Sequence, residues 1–304
     1  MDQSVSWPKS TRRTAPRVLL ITHFEIVSGC QLRCVGCPNS ILQPKVQRIS
    51  VSDFAACLAN IDVKAIRLLR LFLYGEALLH RELPELLRQI PKQTWRAQQV
   101  EISTNAQFAH WPTFEEALAT GIPTRLVVSC DGDGTPESYE ALRPPSRWST
   151  LIQFLDRTRE IRDRVNPKLE LMTRTICDDP VEQQRWRDVL EPRGWKPEFR
   201  GWLSLPDSER EIANPNKPGE GLCIFQQRSG LLYVDSDGTM VPCCAYPRAA
   251  ELGNLKTHRL SEILASDTLH DFRTALAARD SSVPVCAKCP WGSGPTDEGA
   301  NYLD

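Results

Sequence analysis

Gly29-Cys30-Gln31-Leu32-Arg33-Cys34-Val35-Gly36-Cys37-Pro38 sets three cysteines at C-x3-C-x2-C spacing, and no fourth follows closely. Thiolates are the usual protein ligands of an iron–sulfur cube. A structural cube is normally closed by cysteine at every iron. Three local ligands therefore leave one iron open to a ligand that is not protein, and an open position is what separates a reactive metal site from a structural one. Zinc would want a C-x2-C pair matched by a distant pair. A disulfide framework is out of place in a chain of this size without a secretory signal. Coincidence is the remaining alternative. The triplet follows the strand-like run Val18 to Val27. It therefore falls in a loop after a strand, where barrel folds place their chemistry.

Outward from this loop, apolar runs and helical patterns alternate. Ser50 to Asn60 reads as a helix with Ser52 as its candidate N-cap, and Ile66 to Tyr74 as a strand broken by two arginines. Glu82 to Ile90 reads as a helix, Gln98 to Ser103 as a strand, Thr113 to Thr120 as a short helix and Thr124 to Cys130 as a strand. Pro136 to Leu142 and Arg147 to Val165 follow as helices, Lys168 to Ile176 as a strand, Pro180 to Leu190 as a helix and Glu198 to Leu203 as a sixth strand. Strands alternating with helices imply a parallel sheet with right-handed crossovers. Six such units are fewer than a closed barrel needs, so the expected fold class is α/β, with a partial (β/α)6 barrel of the TIM type. Between Pro206 and Gly221 the composition becomes that of a linker. Gly230 to Val234 and Thr239 to Val241 then flank Asp235-Ser236-Asp237-Gly238, a hairpin signal, and Leu260 to Leu276 reads as an amphipathic helix. The expected organisation is an arm over 1–17, a core over 18–205, a linker over 206–221 and a small domain over 222–304.

The 304 residues carry a formal net charge of −1, with no basic excess that would mark nucleic acid as a partner. No apolar run approaches the ~18 residues of a membrane span. Met1 to Arg17 is polar and lacks the apolar centre of a signal peptide, so it reads as a disordered or wrapping arm of a cytoplasmic protein. Eleven cysteines are too many for chance in such a protein and wrong for disulfides. Seven form two groups: Cys30, Cys34 and Cys37, then Cys223, Cys243, Cys286 and Cys289. Cys57, Cys130 and Cys177 read as packed thiols. In the second group, Cys223, Gly238 and Cys243 run C-x14-G-x4-C, and Cys286 with Cys289 closes it as C-x2-C.

With the triplet after the first strand, the chain resembles the radical S-adenosylmethionine (radical SAM) superfamily. The resemblance implies that the open iron is chelated by the amino and carboxylate groups of S-adenosylmethionine (AdoMet). Reductive cleavage would then give methionine and a 5′-deoxyadenosyl radical, which takes a hydrogen atom from substrate. An electron donor such as flavodoxin or ferredoxin is implied as partner. Tyr74-Gly75-Glu76 resembles the family's Gly-Gly-Glu motif, which assigns Gly75 and Glu76 to the AdoMet ammonium. Ser103-Thr104-Asn105-Ala106 resembles its T-N-G turn, with Ser103 and Asn105 near the ribose. Ser129-Cys130-Asp131-Gly132 resembles its S-x-D-G turn, with Ser129 on the AdoMet carboxylate. Arg143, from a Y-E-x-x-R segment, is a second partner for that carboxylate. Gly36 stands where the family usually has an aromatic residue against adenine, so that contact must come from elsewhere.

The second cysteine group resembles the twitch domain, the short form of the SPASM domain. There, four cysteines in this pattern bind one auxiliary [4Fe–4S] cluster, giving two clusters in all. Zinc held by four cysteines is the alternative, though ligands set far apart across a hairpin suit a zinc ribbon poorly. No cysteine follows Cys289, so a second auxiliary cluster is not expected.

The motifs leave the reaction open. A dehydrogenase of a carbohydrate or aminocyclitol is the leading expectation. An epimerase would use Cys244 as hydrogen donor. A peptide-modifying maturase would often carry an N-terminal recognition element, for which the short arm leaves no room. A zinc or cluster scaffold that senses redox state is the non-enzymatic alternative. Candidate substrate contacts are Glu170 and Arg174, which share one face of the fifth strand with Met172 by period two, and Arg200 and Trp202 on the sixth.

Overall fold

The run before the cysteine triplet becomes strand β1 (Val18–Phe24), the first of six parallel strands. The computed structural model describes residues 16–201, 223–227, 230–245, 248–278, 283–287 and 289. Trp202 and the expected linker lie outside these residues, as does the arm up to residue 15. The core strands continue with β2 (Ala65–Arg70), β3 (Arg96–Thr104), β4 (Arg125–Ser129), β5 (Glu170–Ile176) and β6 (Lys196–Arg200). Each pairs in parallel with the next. Between them run α1 (Val51–Ala59), α2 (Leu83–Gln89), α3 (Trp111–Ala119), α4 (Pro136–Leu142), α5 (Trp148–Val165) and α6 (Pro180–Leu190). Helices α1, α2 and α3 pack in series, and α5 packs on both α3 and α4. One face of the sheet carries Phe24, Leu69, Ile102, Leu126 and Val128 into the core with Phe54, Leu86, Phe114 and Phe154. The opposite, inner face is different. His23, Arg70, Glu101 and Arg174 lie there by the two-residue alternation.

The C-terminal hairpin does not stand apart from the core. Its strands β7 (Leu231–Val234) and β8 (Thr239–Val241), followed by β9 (Gly253–Asn254), extend the same sheet in the order β9-β8-β7-β1-β2-β3-β4-β5-β6. β7 lies parallel to β1, with Ile21 opposite Leu231 and Phe24 opposite Val234. The physical reason is the edge of β1. An open sheet leaves the N–H and C=O groups of its first strand unpaired, and a strand or cover must meet them. Asn60 at the end of α1 donates to the Leu255 carbonyl at 2.8 Å, and Ser261 N donates to Asp62 at 3.0 Å, tying the two parts together behind the sheet.

Three local expectations are corrected. Ser50, not Ser52, caps α1: its Oγ accepts from Asp53 N at 3.0 Å, while the Ser52 hydroxyl meets only Ser50 among the bonds of this turn. β2 stops at Arg70 rather than Tyr74, because the Tyr74 and Gly75 N–H groups leave the ladder for the Glu25 carboxylate. The helix expected over Leu260 to Leu276 is two, α7 (Leu260–Leu264) and α8 (Asp267–Ala278). Ser266 breaks it by accepting Leu269 N at 3.3 Å on its own hydroxyl, an alternative that Ser offers to backbone donors.

Candidate active site

The cysteine loop is held by backbone from several directions. Arg33 N donates to Pro144 O at 2.6 Å and Val35 N to Leu142 O at 2.9 Å, docking the loop on the segment that carries Arg143. Asn39 Nδ2 donates to Tyr74 O at 2.8 Å, docking it on the Tyr74-Gly75-Glu76 turn. Gly36 has φ +80°, the left-handed conformation that glycine adopts without strain, which accounts for the missing aromatic side chain. The thiols of Cys30, Cys34 and Cys37 are half-buried, and burial pushes each of them up. Cys30 has donors aimed at it: Asn105 Nδ2 at 3.3 Å and Leu32 N at 3.4 Å. Asn105 thus faces the first cysteine, and its Oδ1 accepts from Gln31 Nε2 at 3.0 Å. Ala106, next in the turn, takes φ +60°, where the family motif has a glycine.

Glu76 is the hinge of the strand ends. It is buried, and both carboxylate oxygens are used. Leu78 N donates at 3.0 Å and Thr104 Oγ1 at 2.7 Å to Oε1, and Asn105 N donates at 2.7 Å to Oε2. Burial raises its pKa, against the pull of these donors and of Arg143. The carboxylate therefore fixes the end of β3 to the turn after β2.

Glu25 is a residue the sequence reading missed. It follows β1 and is buried, and its Oε1 accepts from Tyr74 N at 3.1 Å and Gly75 N at 3.2 Å. Burial, with Asp235 alongside, pushes its carboxyl up to about 7. A carboxyl whose pKa is raised by folding binds its proton more tightly in the native state, so stability falls as pH rises between the unfolded value and the folded one. Thermal unfolding midpoints should therefore fall as pH rises from about 5.5 to 7.5, and Glu25→Gln should flatten that fall. An identical slope in the variant would remove Glu25 from this role. The signal available in the sequence was a single acid inside the apolar run Val18 to Val27.

Arg143 is buried and donates through Nη1 to Asp131 Oδ2, beside Cys34. Burial opposes its charge, but Asp131, Cys34, Tyr139 and Cys130 raise its pKa further than burial lowers it. Its Nε is buried without a hydrogen-bond partner among the described residues. Ser103 is buried near the end of β3 and Ser129 ends β4, so both lie at the C-terminal edge with the cysteine loop.

The substrate candidates separate. Glu170 is half-exposed at the start of β5, paired with Arg125 at 3.0 Å, away from the cysteine loop. The two-residue period gave its face correctly but not its height. Arg174 and Arg200 stand higher, opposite Ser129 and Ile176. Arg174 pairs with Glu101 at 3.4 Å and with Glu198 at 3.0 Å. Arg200 Nε donates to Glu198 at 2.9 Å.

The C-terminal cysteines converge. The Cys243 thiol is pushed well up by burial and then by Cys244, Cys223 and Cys286 around it. Cys286 is pushed up to about 12 by burial, Cys223 and Cys289, and Cys244 to about 11 by burial, Cys289 and Cys223. The Tyr74 hydroxyl donates to the Cys244 carbonyl, so the turn after β2 touches the residue next to Cys243. Among the described residues, no three His, Cys, Asp or Glu side chains form a ready site for a single metal ion.

Residues 223–290 match the SPASM family, an iron–sulfur cluster-binding domain. The fold is similar to native anSMEcpe with bound AdoMet and Cp18Cys peptide, at 15% identity and a TM-score of 0.61, over 90% of this chain and 89% of that one. It is similar also to BtrN in complex with AdoMet and 2-DOIA, at 15% identity and a TM-score of 0.51, over 89% of this chain and 92% of that one. A comparison with curated protein sequences finds no match. The chain shares the fold of these AdoMet-bound proteins, and its residues 223–290 form a SPASM-type segment. The shared fold accounts for β1 to β6, and the SPASM match covers the strands that extend their sheet.

The residues present fit the groups that this fold implies. Three half-buried thiols, with N–H donors already on Cys30, suit a cluster whose sulfurs accept hydrogen bonds. The free Nε of Arg143 suits a carboxylate. Four converging thiols of the SPASM segment suit an auxiliary cluster. No helix among the described residues is long and apolar enough to cross a membrane.

Proposed function

We propose that the chain is a radical SAM oxidoreductase that removes a hydrogen atom from a small carbohydrate- or aminocyclitol-type metabolite, with an auxiliary cluster taking the remaining electron. The observation that carries this reading is the Tyr74 bridge, which joins the turn beside the cysteine triplet to Cys244 beside the auxiliary thiols. When bound, a reduced cluster and AdoMet would supply the 5′-deoxyadenosyl radical. Cys30, Cys34 and Cys37 would hold that cluster, with Asn105 orienting Cys30. The Gly75 backbone would receive the AdoMet ammonium, and Ser129 and Arg143 its carboxylate. Ser103 would lie near the AdoMet ribose. Cys223, Cys243, Cys286 and Cys289 would hold the auxiliary cluster. The polar inner face, with Arg174 and Arg200 at its upper end, would receive the substrate.

The position of Cys244 favours dehydrogenation over epimerisation. Its thiol interacts electrostatically with Cys289 and Cys223 as well as with Tyr74, so it belongs with the auxiliary cysteines beside the turn after β2. A peptide substrate is the second reading, because the anSMEcpe structures hold peptides.

Anaerobically reconstituted protein should hold about eight irons and form 5′-deoxyadenosine from AdoMet and dithionite. Changing Cys30, Cys34 and Cys37 together to Ala should remove about half of the iron and all of the 5′-deoxyadenosine. A product yield that survives this change would overturn the assignment of the triplet. Stoichiometric zinc in the remaining site would overturn the auxiliary cluster.

A further inference from the structure

We propose that the substrate carries a carboxylate, received on the inner face of the sheet by Arg70, Arg174 and Arg200. This rests on the reading of the inner face as the substrate chamber, and it names the chemical class that the chamber takes.

The inner face confines an unbalanced set of charges. Arg70, Glu101, Arg174, Glu198 and Arg200 form one alternating chain across the inner face. Arg70 Nε lies 3.2 Å from Glu101 Oε1, and Arg174 Nη1 lies 3.4 Å from the same oxygen. Arg174 Nε then meets Glu198 Oε2 at 3.0 Å, and Arg200 Nε donates to Glu198 Oε1 at 2.9 Å. Both ends of the chain are guanidiniums, so among the described residues one positive charge is in excess. Arg125 adds a contact to Glu101 at 3.6 Å, but Glu170 at 3.0 Å balances it.

His23 reports how closely these groups converge. Its ring stacks on Tyr233 at 4.8 Å and meets the edge of Phe72 at 5.8 Å. Its Nε2 lies 3.4 Å from Arg70 Nη1, and the Phe72 backbone also meets the ring. Burial, then Arg70, Arg174 and Arg200, hold the imidazole neutral. The Arg70 guanidinium thus lies against a ring that does not share its charge, with Arg174 and Arg200 within electrostatic range. Glu101 is fully buried and Arg70 nearly so, so water screens the excess poorly.

A charge withdrawn from water is costly unless it is paired. An arriving carboxylate carries one negative charge, matching the single excess, and it presents two oxygens to a guanidinium fork. A dianionic phosphate would reverse the sign and an ammonium would deepen the excess, so within the proposed class the chamber favours an acidic carbohydrate over an aminocyclitol. The location also fits. Arg174 stands opposite Ser129 and Arg200 opposite Ile176, the last residues of β4 and β5. These ends belong to the edge of the sheet that carries the cysteine loop.

Acetate is the probe, because it is small enough to enter whatever the shape of the full substrate. Reconstituted protein labelled with 15N-histidine would be titrated with acetate, and with acetamide as the neutral counterpart, at fixed ionic strength. The ring nitrogens of His23 are the readout. Acetate should move them saturably in the millimolar range and acetamide should not. Arg200→Gln should weaken acetate by about tenfold, while Arg200→Lys, which keeps the charge, should lose less. Arg200 is the variant of choice because Arg174 also neutralises the buried Glu101. Shifts that do not saturate, that acetamide reproduces, or that Arg200→Gln leaves unchanged would each overturn the proposal. Formation of 5′-deoxyadenosine is measured separately. Its failure would sink the radical SAM reading and leave the acetate result standing on its own.

Discussion

Gly75→Ala should cost about 3 kcal/mol or more of folding stability and should remove AdoMet binding with it. A Cβ built at Gly75 falls 1.8 Å from the Val27 carbonyl oxygen, 2.7 Å from the Val27 carbon and 3.0 Å from Gly29 O. All three are backbone atoms, so no side chain can swing away. Val27 is itself buried and pairs with Arg48 in a short antiparallel ribbon, which prevents the strand exit from retreating. On the other side, Gly75 N donates to Glu25 at 3.2 Å and Glu76 N donates to Gly29 O at 3.1 Å. The turn and the residues leading into Cys30 are thus in direct backbone contact, and separating them moves the first cluster ligand. Gly121→Ala is the control. It has positive φ but nothing within 4 Å of an added Cβ, so only the backbone strain of about 1–3 kcal/mol applies. Chemical denaturation of both variants, with AdoMet affinity by calorimetry, checks the result. Equal losses in the two would show that Val27 does not press on Gly75.

What the sequence disclosed follows the range of the interactions involved. Helices α4 and α6 begin and end where expected, because Thr135 and Asp179 cap them locally, each with a proline following. The triplet was legible because its ligands are packed into one loop. Its support was not. Asn105 reaches Cys30 across 75 residues and Glu25 reaches Gly75 across 50. No local pattern encodes such pairs, and only strand register brings them level. The same limit explains Glu170. Alternation assigned it to the inner face with Arg174, but its height is set by pairing with Arg125 at the start of β4. The joined sheet was hidden for a related reason. The hairpin signal at Asp235 to Gly238 is local, whereas its docking on β1 depends on an edge some two hundred residues earlier. The charged ladder was visible in Arg174 and Arg200 by alternation and in the arginines interrupting an apolar strand, Arg67 and Arg70, of which one is exposed and the other turns inward.

Glu76→Ala should destabilise the protein by roughly 2–6 kcal/mol and loosen the cluster loop before it touches AdoMet directly. The estimate follows from what the side chain leaves behind. Leu78 N and Asn105 N, at 3.0 and 2.7 Å, are buried backbone donors that would each lose their acceptor, at about 1–3 kcal/mol apiece. Thr104 Oγ1, at 2.7 Å, loses its partner as well but can rotate. The effect then propagates by position. Asn105 donates its side chain to Cys30 Sγ at 3.3 Å, so a shift at its backbone N–H alters the orientation of that donor. Glu76→Gln separates geometry from charge. It keeps the volume and one acceptor but turns an NH2 toward Asn105 N or Leu78 N, so it should recover only part of the loss. The informative measurement is the electron paramagnetic resonance of the reduced cluster without AdoMet. A changed signal in Glu76→Ala, already present in the absence of ligand, would establish that this carboxylate acts by positioning. An unchanged signal with weakened AdoMet binding would return it to direct contact with the AdoMet ammonium.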